Sequence, residues 1–350
     1  MTGNRVDLNR TPYWAPHVSG YSLLISKRSV IFCLIAIVAL CTVGFITLMN
    51  SSITSSLTEV WQALLGVGKE SAVRSVQQRR LPRFLTALLV GGCLGVAGAI
   101  FQSMSRNVLG SPDIIGFTSG AALGAICEIV FFGQGVWATS LAAIAGGFLT
   151  ATLVYGLSLR NGISGGLRLI LVGIGAGAVA NAATSFVMVR ADITDAATAQ
   201  LWSAGSLTAR GWPHVIPLAL IVVLSAPLLT ALSSRLTLLE MGDDSGASLG
   251  ISPERTRIGA MIAGVALTGA GVAAAGPIAF IALAAPHIAR RSTRSTGVNF
   301  PASFLTGAFL LACADLLSQS VNIALRTPVG LTTSLLGGVY LIAILLRRNP

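Results

Sequence analysis

The chain has 350 residues, of which 53% are hydrophobic and 10% charged, and its mean hydropathy is +0.80. No soluble core of this size requires so much apolar surface, so a soluble globular domain is excluded and a polytopic membrane protein is expected. The net charge of +11 does not point to nucleic acid, because the basic residues sit singly or in pairs at the ends of apolar runs without interleaved aromatics.

In chain order, apolar runs fall at 30–49, 83–104, 114–132, 136–157, 168–189, 214–232, 258–275, 278–289, 301–318 and 329–346. They predict an all-α membrane protein of about ten spans, most near the ~20 residues a bilayer needs. The first run is too long for a signal-peptide core and reads as a retained helix. Residues 56–65 carry S-x-x-E followed by Leu57, Val60, Trp61, Leu64 and Leu65 at helical spacing, with Gly66 placed to end the segment. They predict a short amphipathic helix with a capping box on the outer surface. Residues 192–211 are either a structured roof over a pathway or an ordinary loop. Gly276-Pro277 divides 258–289 into two segments, the second too short to cross fully.

With ten crossings, fifteen of the 23 basic residues fall on the side of the termini, including Arg10, Arg106, Arg160, Arg257, Arg290, Arg347 and Arg348. That side is therefore expected to be cytoplasmic. The expected organisation is a cytoplasmic N-terminal segment (1–29), one transmembrane permease domain (30–347) and a cytoplasmic C-terminus (348–350). Gly91/Gly95, Gly120/Gly124 and Gly173/Gly177 predict close helix packing. Arg83–Phe101 and Arg257–Phe280 each run from an arginine through Gly/Ala-rich sequence to Phe, either a repeat or a product of composition.

The only Gly-Lys pair, Gly68-Lys69, lacks the remainder of a P-loop, so ATP hydrolysis in this chain is not expected. The five cysteines, all inside apolar runs, and three dispersed histidines show no metal-ligand spacing, and no metal site or cofactor is expected in the chain. Glu128 and Asp315 are the acids inside apolar runs, which leaves an ion-coupled secondary transporter open. Both lie close enough to a helix end to reach the interface instead.

Residues 236–257, LTLLEMGDDSGASLGISPERTR, hold four of the twelve acidic residues between two apolar runs. Asp243 or Asp244 suits the N-terminus of a short helix ended by Gly250, and Ser252-Pro253 suits the start of the next. Such a short helix carrying Gly246 is marginal in water, so it either docks on a partner or is a solvated loop. On the other side, Arg79-Arg80-Leu81-Pro82-Arg83 places three guanidiniums together, either as headgroup anchors or as a docking site for an acidic partner.

Six segments then resemble the FecCD-type permeases of ABC importers, the vitamin B12 and iron-siderophore class. They are RRLPRFLTALLVGGCLGVAGAIFQ (79–102), RNVLGSPDIIGFTSGAALGA (106–125), RLILVGIGAG (168–177), LLEMGDDSGASLGIS (238–252), GPIAFIALAAPHIARR (276–291) and PVGLTTSLLGGVYLIAILLR (328–347). The resemblance implies a ten-helix type II importer permease fold in the cytoplasmic membrane. It implies a second permease subunit, in a heterodimer rather than a homodimer, two cytoplasmic ATP-binding subunits carrying ATP and Mg, and an extracytoplasmic siderophore-binding protein. Leu239, Glu240, Asp243, Asp244, Ala247, Leu249 and Gly250 match the family's ATPase-coupling segment, and Arg80 and Arg83 its binding-protein docking arginines. Gly166 and Leu167 match the cytoplasmic gate, and Gly173, Gly177 and Asn181 are expected to line the pathway. Gln319 replaces a further docking arginine. The segments LLEMGDD, SPDIIGF and APHIARR are nearest to the ferric-enterobactin-type branch, which implies a ferric siderophore as cargo, with cobalamin or haem as the alternatives within the family.

Overall fold

The computed structural model describes residues 5–8, 11–14, 17–18, 21–22, 25–49, 56–133, 135–159, 166–320 and 327–346. Arg10, Arg160, Arg326, Arg347, Arg348 and the expected C-terminal segment 348–350 lie outside the described residues. Short antiparallel strands precede the helices: β1 (Arg5–Leu8), β2 (Thr11–Trp14) and β5 (Ile25–Ser26) form one sheet, and β3 (His17–Val18) pairs with β4 (Tyr21–Ser22). The all-helical expectation therefore applies from Lys27 onward.

Each of the ten apolar runs is a helix: α1 (Lys27–Met49), α4 (Leu81–Ser105), α5 (Phe117–Phe131), α6 (Val136–Ser158), α7 (Gly166–Arg190), α9 (Trp212–Leu239), α11 (Pro253–Ala275), α12 (Ile281–Thr293), α13 (Phe300–Ser320) and α14 (Val329–Leu346). Among the described residues, seven of them are long and apolar enough to cross a membrane: α1, α4, α6, α7, α9, α11 and α13. Four short helices join them, α2 (Leu57–Leu64), α3 (Glu70–Ser75), α8 (Ile193–Ser203) and α10 (Asp243–Ser248). A π-helical turn, Val76–Arg80, joins α3 to α4.

The core is built on α4 and α11, which are buried along most of their length and lean on α13, α12, α9 and α6. Small residues permit this approach where lipid supplies no hydrophobic drive between helices. A Cβ on Gly98 would lie 1.7 Å from the Ala282 carbonyl oxygen, and Gly91 and Gly307 face each other with equally little room. Phe101 fills the space left by Gly264 and tilts against Phe117 at a ring separation of 5.1 Å.

Gly276 (φ +75°) ends α11, and Phe280 (φ +70°) precedes α12, so the expected break at Gly276-Pro277 is present. The 13-residue α12 keeps Ile281–Pro286 buried in protein. That shielding satisfies the requirement that irregular backbone avoid lipid. Helix α2 inserts Val60 and Ala63 against Leu48, Ala72 and Val76, while Trp61 stays 63% exposed. Ser56 bonds to Thr58 at 2.7 Å and makes no cap bond to the helix, which departs from the capping-box expectation. Residues 193–203 form a helix, α8, packed on α5 through Ala199 and Ile126.

Candidate functional site

The charged segment begins later than the sequence suggests, because α9 continues to Leu239 with Leu236 and Leu239 buried. Glu240 follows, and Gly242 at φ +122° makes a turn that side chains rarely tolerate. The six-residue α10 then starts on Asp243 and Asp244, whose charges suit its N-terminus. Gly250 (φ +82°) leaves it, and Pro253 opens α11 where no backbone donor is needed. Ser252 has the extended backbone of a cap but makes no side-chain cap bond; Thr256 Oγ1 instead donates to the Ser252 carbonyl at 2.9 Å.

Asp243 is the centre of an ion-pair cluster. Buried Arg257 on α11 donates to its Oδ1 at 2.6 Å and to its Oδ2 at 2.7 Å, and Arg106 at the end of α4 pairs with Oδ1. Arg257 also lies 3.6 Å from Glu254, whose carboxylate accepts from the Tyr155 hydroxyl on α6. Glu240 pairs with Arg290 on α12 at 2.6 Å. Leu239 packs beneath α10, where a Cβ on Gly246 would come within 3.0 Å of it. Gly246 is therefore used for this close seat, at the cost to helix propensity that its lack of a side chain brings.

These contacts divide the seven residues assigned to ATPase coupling. Leu239, Glu240 and Asp243 hold the segment to its own chain, whereas Asp244, Ala247, Leu249 and Gly250 are exposed together with Met241. Leu249 and Met241 are 61% and 71% exposed, an apolar pair beside an acid on a surface left uncovered among the described residues. Beneath it a cavity of about 500 Å³ opens between the helix ends, lined by Gln102, Arg106, Asn107, Glu240, His287, Arg290 and Arg291 among others.

Arg80 and Arg83, expected from the sequence to be docking residues, both make bonds within the chain. Arg83 makes a two-pronged contact with Asp315, its Nη2 at 2.8 Å from Oδ1 and its Nε at 3.1 Å from Oδ2. Gln319 donates to the same carboxylate at 2.7 Å, one turn along α13. Asp315 is 2% exposed. Arg80 donates to the carbonyls of Thr47 and Leu48 at the end of α1, at 3.4 and 3.1 Å. Both arginines are thus committed to interhelical bonds, because Pro82 starts α4 with these side chains turned toward α13 and α1. Arg79 is the exposed guanidinium of the motif.

The two acids of the apolar runs are both buried in protein. Asp315 is neutralised as above, and buried Glu128 accepts from Thr139 at the start of α6. Gly173 and Gly177 also depart from expectation: they are buried, and a Cβ on them would meet Ile115 at 2.7 Å and Gly116 at 3.1 Å. They let the 110–116 loop lie against α7 instead of lining an open path, while Asn181 is exposed. Gly166 is the first residue of α7, and Leu167 is 69% exposed beside Arg168, which donates to the Leu157 carbonyl at 3.2 Å. In the same loop, Asp113 accepts from Thr118 at 2.6 Å and from the Phe280 backbone. Burial nevertheless pushes its carboxyl up to about 6.

Residues 35–347 match the FecCD transport family. This chain belongs to that family. It is 43% identical to the ferric enterobactin transport system permease protein FepG of Escherichia coli, over 93% of this chain and 99% of that protein. It is 36% identical to the achromobactin transport system permease protein CbrC of Dickeya dadantii, over 83% of this chain and 84% of that one. A solved structure described as an inward-facing conformation of an ABC transporter assigned to the metal-chelate type superposes with a TM-score of 0.79. It shares 26% identity over 91% of this chain and 99% of that one. These FecCD relatives are permease proteins, and the chain is a multi-pass membrane permease of the same family. What the sequence reading of this FecCD chain missed are the partners Arg106, Tyr155, Arg257 and Arg290. The arginines looked like topology determinants, and only the fold brings them to the acids of 240–254.

Proposed function

We propose that the chain is the permease subunit of an ATP-binding-cassette importer that moves a ferric siderophore across the cytoplasmic membrane. The supporting observation is the 43% identity over nearly the full length of both this chain and a ferric enterobactin permease. The reading places both termini in the cytoplasm, with ten helices traversing or entering the bilayer. The exposed face of α10, with Met241, Asp244, Ala247 and Leu249, receives a cytoplasmic ATP-binding subunit that supplies ATP and Mg. The exposed apolar face of α7, including Ile174, Val179 and Phe186, is left for a second permease subunit, with a heterodimer favoured. An extracytoplasmic binding protein delivers the chelate to the opposite side and docks at Arg80 and Arg83, with the exposed Arg79 beside them.

Motion of the motor moves α10, α10 moves the helix ends it is bonded to, and access alternates at the start of α7 near Gly166 and Leu167. An ion-coupled mechanism is disfavoured because Asp315 and Glu128 are each satisfied inside the chain. The test is uptake into proteoliposomes holding the whole complex, with a panel of ferric siderophores, haem and cobalamin. ATP-dependent uptake of a ferric siderophore that survives collapse of the proton gradient is expected. Uptake of haem or cobalamin alone would reassign the cargo, and gradient-dependent uptake without ATP would overturn the motor reading.

A further inference from the structure

The bonds that tie α10 to the bundle differ in their exposure to water. Arg257 is 4% exposed and grips both oxygens of Asp243 from inside the fold. Its Nη1 has no hydrogen-bond partner and lies 3.6 Å from Glu254. Breaking the bonds to Asp243 would leave a buried guanidinium with no hydrogen-bonded carboxylate and only that longer contact, which is strongly unfavourable. The other two pairs, Arg106 with Asp243 and Arg290 with Glu240, stand on the rim of the ~500 Å³ cavity, with the arginine side chains 42% and 48% exposed. Water can replace those bonds at little cost.

We infer that Asp243 is a positioning residue for coupling: with Arg257 it forms the fixed pivot of the cytoplasmic segment, and Arg106 and Arg290 are latches that open and close as the segment turns. The inference rests on the reading of α10 as the motor's seat, and it moves Asp243 from the docking surface to the joint behind it. The pivot leads into the bundle along two routes. Arg257 belongs to α11, one of the two central helices, and Glu254 and Tyr155 carry the contact on to α6. Arg106 ends α4, the other central helix, in a left-handed conformation (φ +50°) that aims its guanidinium at α10. A displacement of α10 about Asp243 is thereby delivered to both central helices, while the cavity provides room for the rim side chains to move. No exposed atom of Asp243 is needed for this role.

The experiment uses the complete complex in proteoliposomes, with ferric enterobactin as probe chelate. It measures binding of the ATP-binding subunit, ATP hydrolysis, and chelate transported per ATP hydrolysed. Leu249→Ala with Asp244→Ala tests the motor seat and is expected to weaken subunit binding by about tenfold or more. Asp243→Asn is expected to leave subunit binding within about twofold and to lower transport per ATP by roughly tenfold. Asp243→Glu restores most of that ratio, which a general loss of folding would not allow. Asp243→Asn combined with Arg257→Lys should be no worse than the more damaging single change, since both act on one joint. Loss of subunit binding in Asp243→Asn equal to that of the Leu249 variant would put Asp243 back on the docking surface. An unchanged transport ratio in Asp243→Asn would remove the pivot. Unaltered subunit binding in the Leu249 variant would instead overturn the motor-seat reading on which the inference stands.

Discussion

The two central helices and the peripheral ones differ in what covers them. The apolar windows of α4 and α11 are 78% and 72% buried, whereas those of α1, α6, α7 and α9 are between 22% and 28% buried. The central helices turn small residues toward other backbones, and Gly91, Gly95 and Gly98 line up on the face of α4 that meets α12 and α13; the peripheral ones carry Leu, Ile and Phe outward, where lipid or another subunit covers them. Neither hydropathy nor glycine spacing separates the two classes in the sequence, since Gly173 and Gly177 of α7 repeat the spacing of Gly91 and Gly95.

The same substitution on the two kinds of helix is the strongest way to break that comparison. Gly98→Ala forces a methyl into the Ala282 carbonyl, and the cost should exceed the ~1–3 kcal/mol of ordinary overpacking, abolishing folded yield in detergent. A wild-type yield would mean that the central contact is much looser than the structure has it. Asp315→Ala comes next: it leaves Arg83 without its carboxylate and should lower stability by roughly 3–5 kcal/mol, read as a fall in thermal midpoint.

A smaller effect concerns the loop that meets α7. Asp113 has its folded pKa raised to about 6 from 3.8, so the fold favours the neutral acid. That stabilisation is fully present below the unfolded value and is lost as pH rises through about 6. Wild-type stability should therefore fall relative to Asp113→Asn between pH 4 and 7, in paired thermal melts. Parallel profiles would show that Asp113 carries no such penalty.

On the peripheral side, Gly175→Ala meets nothing within 4 Å and should stabilise the isolated chain by about 0.5–1 kcal/mol through helix propensity. If the same change impairs the assembled complex, a partner packs against that face of α7. Smallest of all, Arg74→Ala removes an exposed pair with Glu70 and should change stability by less than about 0.5 kcal/mol in the same melts.

The spans were legible because lipid demands long apolar runs, and the break before α12 because Gly276-Pro277 is punctuation visible in any context. Gly242, Gly250 and Pro253 likewise marked the ends of α10 and the start of α11 through backbone chemistry that needs no tertiary information. The site was only half legible. Asp243 and Asp244 are adjacent and identical in type, yet one is bound by two arginines and the other faces water. That difference is set by the register that turns Asp243 toward Arg257, 14 residues on, and by Arg106, 137 residues back at the end of α4. Arg83 and Arg80 were unreadable for the same reason, since their partners Asp315 and the carbonyls of α1 are distant in sequence. Gly173 and Gly177 looked like a smooth wall because small residues serve equally for a path and for a close contact.

The unequal exposure of the ion pairs at the two ends gives the molecule an asymmetric response to ionic strength. Counterions at about 0.15 M screen exposed charges beyond about 8 Å and compete for the rim pairs of Arg106 and Arg290, yet have no access to Asp315 at 2% exposure. Added salt should thus slacken the α10 end while the clamp between α4 and α13 stays closed. Turnover would respond to salt well before the fold does.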